Sequence, residues 1–244
     1  MLTGIDHIAI VVTDLKMAIR DYTEQGFTVV PGGRHPLGTH NALISLADGS
    51  YIEIIAFYEP NSEHPWWTKL EQGGGLVDFC VGSDDIQSEI KLFRQAGIFM
   101  NDITSGSRLR PDGYRLSWLL SMPGGRFRGI VPFLIEDQTP HEERVPKEIK
   151  HENQVTGISA LTIAVDDVST IRRSYSVILQ DDGQEIESDE LNAVGVRFTL
   201  GTYRFDFVAP NGSKSPLNNW LRVRGPSPYA AALRTVIGKA ILLN

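Results

Sequence analysis

One cysteine, Cys80, stands in 244 residues, so no internal disulfide staples this chain and its fold must rest on buried apolar surface. Cys80 lies in the apolar run LVDFCV, where a buried structural thiol is expected rather than a nucleophile. Long hydrophobic runs are lacking too. No stretch of about 18 apolar residues occurs, so no membrane helix is predicted. The pattern opens at Leu2 without the charged and apolar blocks of a leader, and with the lone thiol this predicts a cytoplasmic location. Positive charge is in deficit, 23 Lys and Arg against 30 Asp and Glu for a net charge of −7. Such a field repels phosphate backbones and anionic lipid, which excludes nucleic acid and membranes as expected partners. What is present, 41% hydrophobic and 22% charged residues, suits a soluble chain of one or two domains with a sizeable core.

The stretch GIDHIAIVVTDL at 4–15 organises the rest, because it is repeated twice downstream. Apolar alternation predicts a strand with His7 and Ile8 on opposite faces. Asp14 then caps a helix with its stripe at Leu15, Ala18, Ile19 and Tyr22, stopped at Gly26. FTVV follows as a strand, PGGRHPLGT as a turn, and HNALISL and YIEIIAF as strands joined by ADGS. The unit reads β-α-β-β-β. EPNSEHPWW and EQGGG read as a surface loop. An offset of 71 carries Asp14 to Asp85, Gly26 to Gly97 and His7 to Asp78. In this second unit RLSWLLSM and RGIVPFLIED are strands, TSGSRLRPDGY is a connection, and Pro132 falls near the position of Glu53. The polar, proline-interrupted segment 138–154 reads as a linker. An offset of 153 then carries Gly4 to Gly157, Asp14 to Asp167, Glu53 to Asp206 and His7 to Ala160. In the tail, Leu233, Val236, Ile237, Ala240 and Ile241 have helical spacing. They predict a docking helix, with a closing strand as the alternative.

Each unit holds one sheet with a single face covered by its helix, so the other face needs a partner. The expected fold is α+β, built of repeated βαβββ modules: a half-barrel of paired modules in 1–136 (4–57 and 76–136) forming a domain bounded at 1–137, a linker at 138–154, and a third module at 157–210 with a C-terminal extension in a unit spanning 155–244. The third module is unpaired in the sequence. It predicts a homodimer, or packing on the tail around Trp220 and residues 229–243.

Three motifs in order, I-D-H-I-A-I-V-V at 5–12, G-G-R-H-P-x-G-T-x-N at 32–41 and D-G-x-Y-I-E at 48–53, resemble the glyoxalase-like branch of the vicinal oxygen chelate superfamily. The resemblance covers residues 4–136 as one module pair and 157–210 as a third module. It implies a cup holding a divalent metal (Zn, Mn, Fe or Ni) between a first-strand histidine and a last-strand carboxylate, here His7 and Glu53, with His35 or His40 as a third ligand. An imidazole and carboxylate set with open positions suits such an ion. Glu53 is also the candidate catalytic carboxylate, since a buried charge in YIEIIAF needs a partner. His40, Asn41, Asp78 and Trp118 are the candidate substrate contacts, with Asp78 a ligand only if the ungapped register holds. Implied activities are metal-dependent lyase, isomerase or dioxygenase chemistry on a small organic molecule. The alternative is a non-catalytic small-molecule binding protein on the same fold.

Overall fold

The computed structural model describes residues 1–35, 38–110, 112–238 and 240–243. Pro36 and Leu37 of the turn motif, and Pro111 in the second unit, lie outside the described residues. In chain order the first unit holds β1 (Leu2–Val12), α1 (Leu15–Glu24), β2 (Val30–Arg34), β3 (Thr39–Ser45) and β4 (Tyr51–Phe57), followed by α2 (Trp67–Glu71). The second holds β5 (Gly75–Ser83), α3 (Ile86–Gln95), β6 (Thr104–Leu109), β7 (Arg115–Ser121) and β8 (Phe133–Asp137), followed by α4 (His141–Arg144). The third holds β9 (Val155–Ala164), α5 (Val168–Leu179), β10 (Gln184–Ser188), β11 (Ala193–Leu200) and β12 (Tyr203–Pro210), followed by α6 (Leu217–Arg224), β13 (Ser227–Thr235) and β14 (Ala240–Leu243).

The fold is α+β, with the strands in two sheets. One is a curled half-barrel of order β2-β3-β4-β1-β5-β8-β7-β6, and the other runs β10-β11-β12-β9-β13-β14. The three long helices start where the repeated aspartates stand. The side chain of Asp14 accepts from the amides of Lys16 and Met17, that of Asp85 from Ser88, and that of Asp167 from Ser169 and Thr170, so each satisfies amides that the first turn leaves orphaned. The inner faces of α1, α3 and α5 join Ile8, Ile10, Ile52, Ile54, Phe79, Phe205 and Phe207 in one core shared by both sheets. Rings of Phe79 and Phe205 meet across it at 5.8 Å. The concave faces of the two sheets therefore look away from this core. No helix of the described residues is long and apolar enough to cross a membrane.

Several expectations change. The tail forms β13 and β14 rather than a docking helix. β13 pairs antiparallel with β9, as β5 does with β1, so the closing strand occupies the edge that the repeat leaves open. The antiparallel pairing of β13 with β14 mimics helical spacing, because β14 runs back along β13 and the apolar phase restarts. PGGR is a strand, not a turn. A Cβ at Gly32 would collide with Asn41 Oδ1, so glycine lets β2 lie against β3 while Asn41 Oδ1 accepts the Gly33 amide at 2.8 Å. The connection TSGSRLRPDGY contains β6, paired with β7. The loop after β4 contains α2, and the segment 138–154 contains α4.

Of the three register shifts in the β1–β5 ladder, two flank His7 on the concave face of the half-barrel. The β1–β5 ladder shifts register between Ile5 and His7, and again between Ala9 and Ile10. An extra residue in a strand turns its neighbours onto one side. Ile5 therefore joins the shared core instead of the His7 face that alternation alone assigns it, and the side chains of Asp6 and His7, though consecutive, meet.

Candidate metal and substrate site

His7 and Glu53 stand on neighbouring parallel strands, with Tyr51 opposite His7 and Ala9 opposite Glu53. Both are buried, at 4% and 9% exposure. The imidazole stacks on Tyr51 at 4.5 Å and meets the edge of Phe133 at 5.2 Å. Its Nδ1 lies 2.6 Å from Asp6 Oδ1, so in the neutral ring Nδ1 carries the proton and Nε2 presents its lone pair. That lone pair faces Glu53 Oε2 at 3.5 Å. Two acceptors so placed need a proton or a cation between them. From the β2–β3 turn His35 also turns its ring toward the carboxylate: its Nδ1 is 2.8 Å from Thr39 Oγ1 and its Nε2 is 3.8 Å from Glu53 Oε1. Asn41 donates to Glu53 Oε1 at 2.6 Å, fixing the carboxylate. Oxygen partners behind each ring orient imidazoles as metal sites require, and the donor set fits a divalent ion.

The other candidates separate. Asn41 is at the site. His40, its neighbour in β3, pairs with Ala56 and rests edge-on against Tyr58, on the opposite strand face because side chains alternate. Asp78 is on the concave side but already satisfied. Its Oδ2 accepts from Trp66 Nε1 at 3.0 Å and its Oδ1 from the Phe79 amide at 2.9 Å. Burial pushes its pKa up to about 6 against those hydrogen bonds. Trp118 forms an apolar wall with Cys80, Phe133 and Ile135. The second module supplies no carboxylate to match Glu53. The offset of 71 carries Ala9 to Cys80, and Cys80 pairs with Phe133 as Ala9 pairs with Glu53, so by ladder position the counterpart of Glu53 is Phe133 rather than Pro132. In the third module Asp206 is held by Arg197 at 2.6 and 2.7 Å.

A buried ion cluster beneath His7 escaped sequence reasoning. Arg144, 6% exposed, reaches from α4 to Asp6 Oδ2 at 2.6 Å, Asp137 Oδ1 at 2.6 Å and the Tyr51 hydroxyl at 2.8 Å. Burial would raise the Asp6 pKa, but Arg144 and His7 outweigh it and hold the carboxyl far below the usual range. Among the described residues, Asp6, His7, Cys80 and also Asp6, Asp137, His141 bring ligand atoms within 4.8 Å of one another. The trio His7, Glu53, His35 is not so tightly drawn together. In the second of those groups the Arg144 guanidinium already supplies the positive charge. In the first, burial pushes the Cys80 thiol well up and keeps it protonated. A cavity of about 510 Å³ opens at the start of β1, lined by Asp6, Asp48, Asp137 and His141 among others. His7 and Glu53 do not line it.

Three comparisons bear on this geometry. A hypothetical protein from Staphylococcus aureus superposes with a TM-score of 0.65 at 15% identity, covering 86% of this chain and 87% of that one. A triple mutant of 4-hydroxymandelate synthase from Streptomyces coelicolor superposes at 0.62 with 14% identity, covering 96% and 72%. These likenesses show the fold. A span of 60 residues, 25% of this chain, is 33% identical to small ribosomal subunit protein bS16 of Thermus aquaticus over 68% of that protein, too short to take in the eight strands of the half-barrel. The model of the glyoxalase-like domain matches residues 5–179, from β1 to the end of α5. With the module pairing seen in the half-barrel, the chain belongs to the glyoxalase-like domain family.

Proposed function

We propose that the concave face of the half-barrel is the active site of a glyoxalase-like enzyme acting on a small organic substrate with adjacent oxygens, and that His7, Glu53 and His35 hold a divalent metal there. One observation carries this reading: two imidazoles from different elements, each with Nδ1 engaged by an oxygen, turn Nε2 toward one buried carboxylate. When bound, the ion supplies Lewis-acid polarisation of substrate oxygens. The chain's own residues do the rest. Asn41 fixes Glu53 Oε1 and leaves Oε2 to accept or return a proton beside a carbonyl, as lyase, isomerase or dioxygenase chemistry requires. Trp66, Trp118 and Phe133 exclude water from that face. Metal analysis of the purified protein tests the proposal. Stoichiometric metal in the wild type, lost in both His7→Ala and Glu53→Ala, is expected. Metal absent from every preparation overturns it.

A second reading, capture of a small molecule without chemistry, is favoured by the second module's contribution, where Phe133 replaces a ligand and Asp78 is engaged by Trp66. Ligand binding unaffected by His7→Ala and Glu53→Ala would select it. The proposal also takes in a cytoplasmic location, consistent with the free buried Cys80. It includes a homodimer through the hairpin of β13 and β14, where Val236, Ile237 and Leu242 are exposed. A monomer by light scattering would remove the dimer.

A further inference from the structure

Arg108 stands at the open side of the half-barrel. Its strand, β6, is one edge of the sheet, and β2 is the other. Across the β6–β7 ladder Arg108 pairs with Leu116 and Gly106 with Trp118, so Arg108 shares the concave face with Trp118. A Cβ built at Gly33, on the opposite edge strand, would lie 3.8 Å from Arg108 Cδ. The arginine therefore bridges the gap between the edges. His35, the most exposed of the three proposed ligands at 35% of its side chain, follows that same edge strand.

The partners of Arg108 leave it undercompensated. Arg110 is paired with Asp112 and Glu143, and Arg144 with Asp6 and Asp137. Arg108 is half-buried, and its hydrogen-bond partner among the described residues is a single neutral carbonyl, Arg144 O at 3.1 Å. A guanidinium has five N–H donors in a fixed fork, and a half-buried cation without an anion is costly. Burial lowers its pKa, and the Glu53 charge is felt at the guanidinium.

We propose that Arg108 is the anion anchor of this site and that the substrate is a small organic monocarboxylate, gripped by the Arg108 fork at the mouth with its reactive end toward His7 and Glu53. This rests on the half-barrel face being the substrate site. A planar carboxylate matches the fork in two parallel hydrogen bonds. A single charge is preferred because Glu53 and Asp78 lie on the same face, and the walls offered to the rest of the molecule, Trp66, Trp118 and Phe133, are aromatic.

Titration calorimetry with phenylacetate, and with phenylacetamide as its uncharged counterpart, tests the assignment. The wild type is expected to bind phenylacetate at least about tenfold more tightly than the amide, and Arg108→Gln to lose that preference. Arg108→Lys should retain part of it, having the charge without the fork. The assignment is overturned by a wild type that does not bind phenylacetate, by inorganic phosphate binding more tightly, or by a folded Arg108→Gln that keeps the preference. Should Arg108→Gln lose its near-ultraviolet circular dichroism, Arg108→Lys decides, and an undiminished preference there overturns the assignment. Metal content separates this from the metal-site reading. Arg108→Gln is expected to keep wild-type metal, and a metal-free wild type that still prefers the carboxylate removes the metal while leaving the anchor in place.

Discussion

Asp6 accepts from the His7 ring on one oxygen and from Arg144 on both, at the bottom of the face where Glu53 stands. Removing one partner of a buried ion pair leaves the other charge poorly compensated. Asp6→Asn is expected to destabilise the fold by about 3 kcal/mol, read from urea midpoints at constant slope; a change within error would show that Asp137 alone satisfies Arg144. His141 offers a pH-dependent test in the same cluster. The Asp137 hydrogen bond raises its pKa above the ordinary 6.5 despite partial burial. Its stabilisation is therefore complete below 6.5 and lost as pH rises through the raised folded value. With 38% of its side chain exposed, the effect is under about 1 kcal/mol. The stability gap between wild type and His141→Asn should shrink as pH rises from 6 to 8 (~), and a gap that widens would contradict the assignment. At this scale the shared face of His7 and Glu53 was legible because strand alternation is local, while their candidacy as ligands rests on the family resemblance. Asp6 and Arg144 were not: one depends on a register shift, the other on a contact across 138 positions in the chain.

Among the elements, the helices were the easiest to read, since a cap and an apolar stripe are contained within a dozen residues. Asp167 is the clearest case, accepting from two amides and from the Thr170 hydroxyl. Asp167→Ala should cost about 1 kcal/mol in unfolding free energy, with little effect on metal content. A loss above about 3 kcal/mol would mean that α5 depends on more than its cap. Strands at sheet edges were harder. β6 is polar and glycine-containing, and the turn-forming Asp112-Gly113 ahead of β7 was the signal that could have exposed it. Missing it turned Arg108 into a loop residue. The tail failed for a different reason: apolar positions on both sides of a hairpin can imitate the period of a helix, and only pairing with β9 separates the two.

At the scale of the whole molecule, the two sheets are held together by much more than the peptide that joins them. Asp48 accepts from the Ile158 amide and from Arg234, Arg224 donates to the carbonyls of Gly74 and Leu76, and Tyr175 donates to Ile130 O. The connecting segment is pinned in turn, through Arg144 at one end and through His151 at the other, where His151 meets Ser45 O and the Thr28 amide. Between those two pins Lys147 and Lys150 are exposed. Brief trypsin treatment should therefore sever the backbone there without dismantling the particle. The halves are expected to run separately in denaturing gels yet elute together at the intact size. Because the Arg144 pin stays on the amino-terminal fragment with Asp6 and Asp137, the nicked protein should also keep His7 and Glu53 in place, and with them the metal content proposed for the intact chain. This chain is thus a candidate for fragment complementation, with two separately expressed pieces reassembling around one shared core.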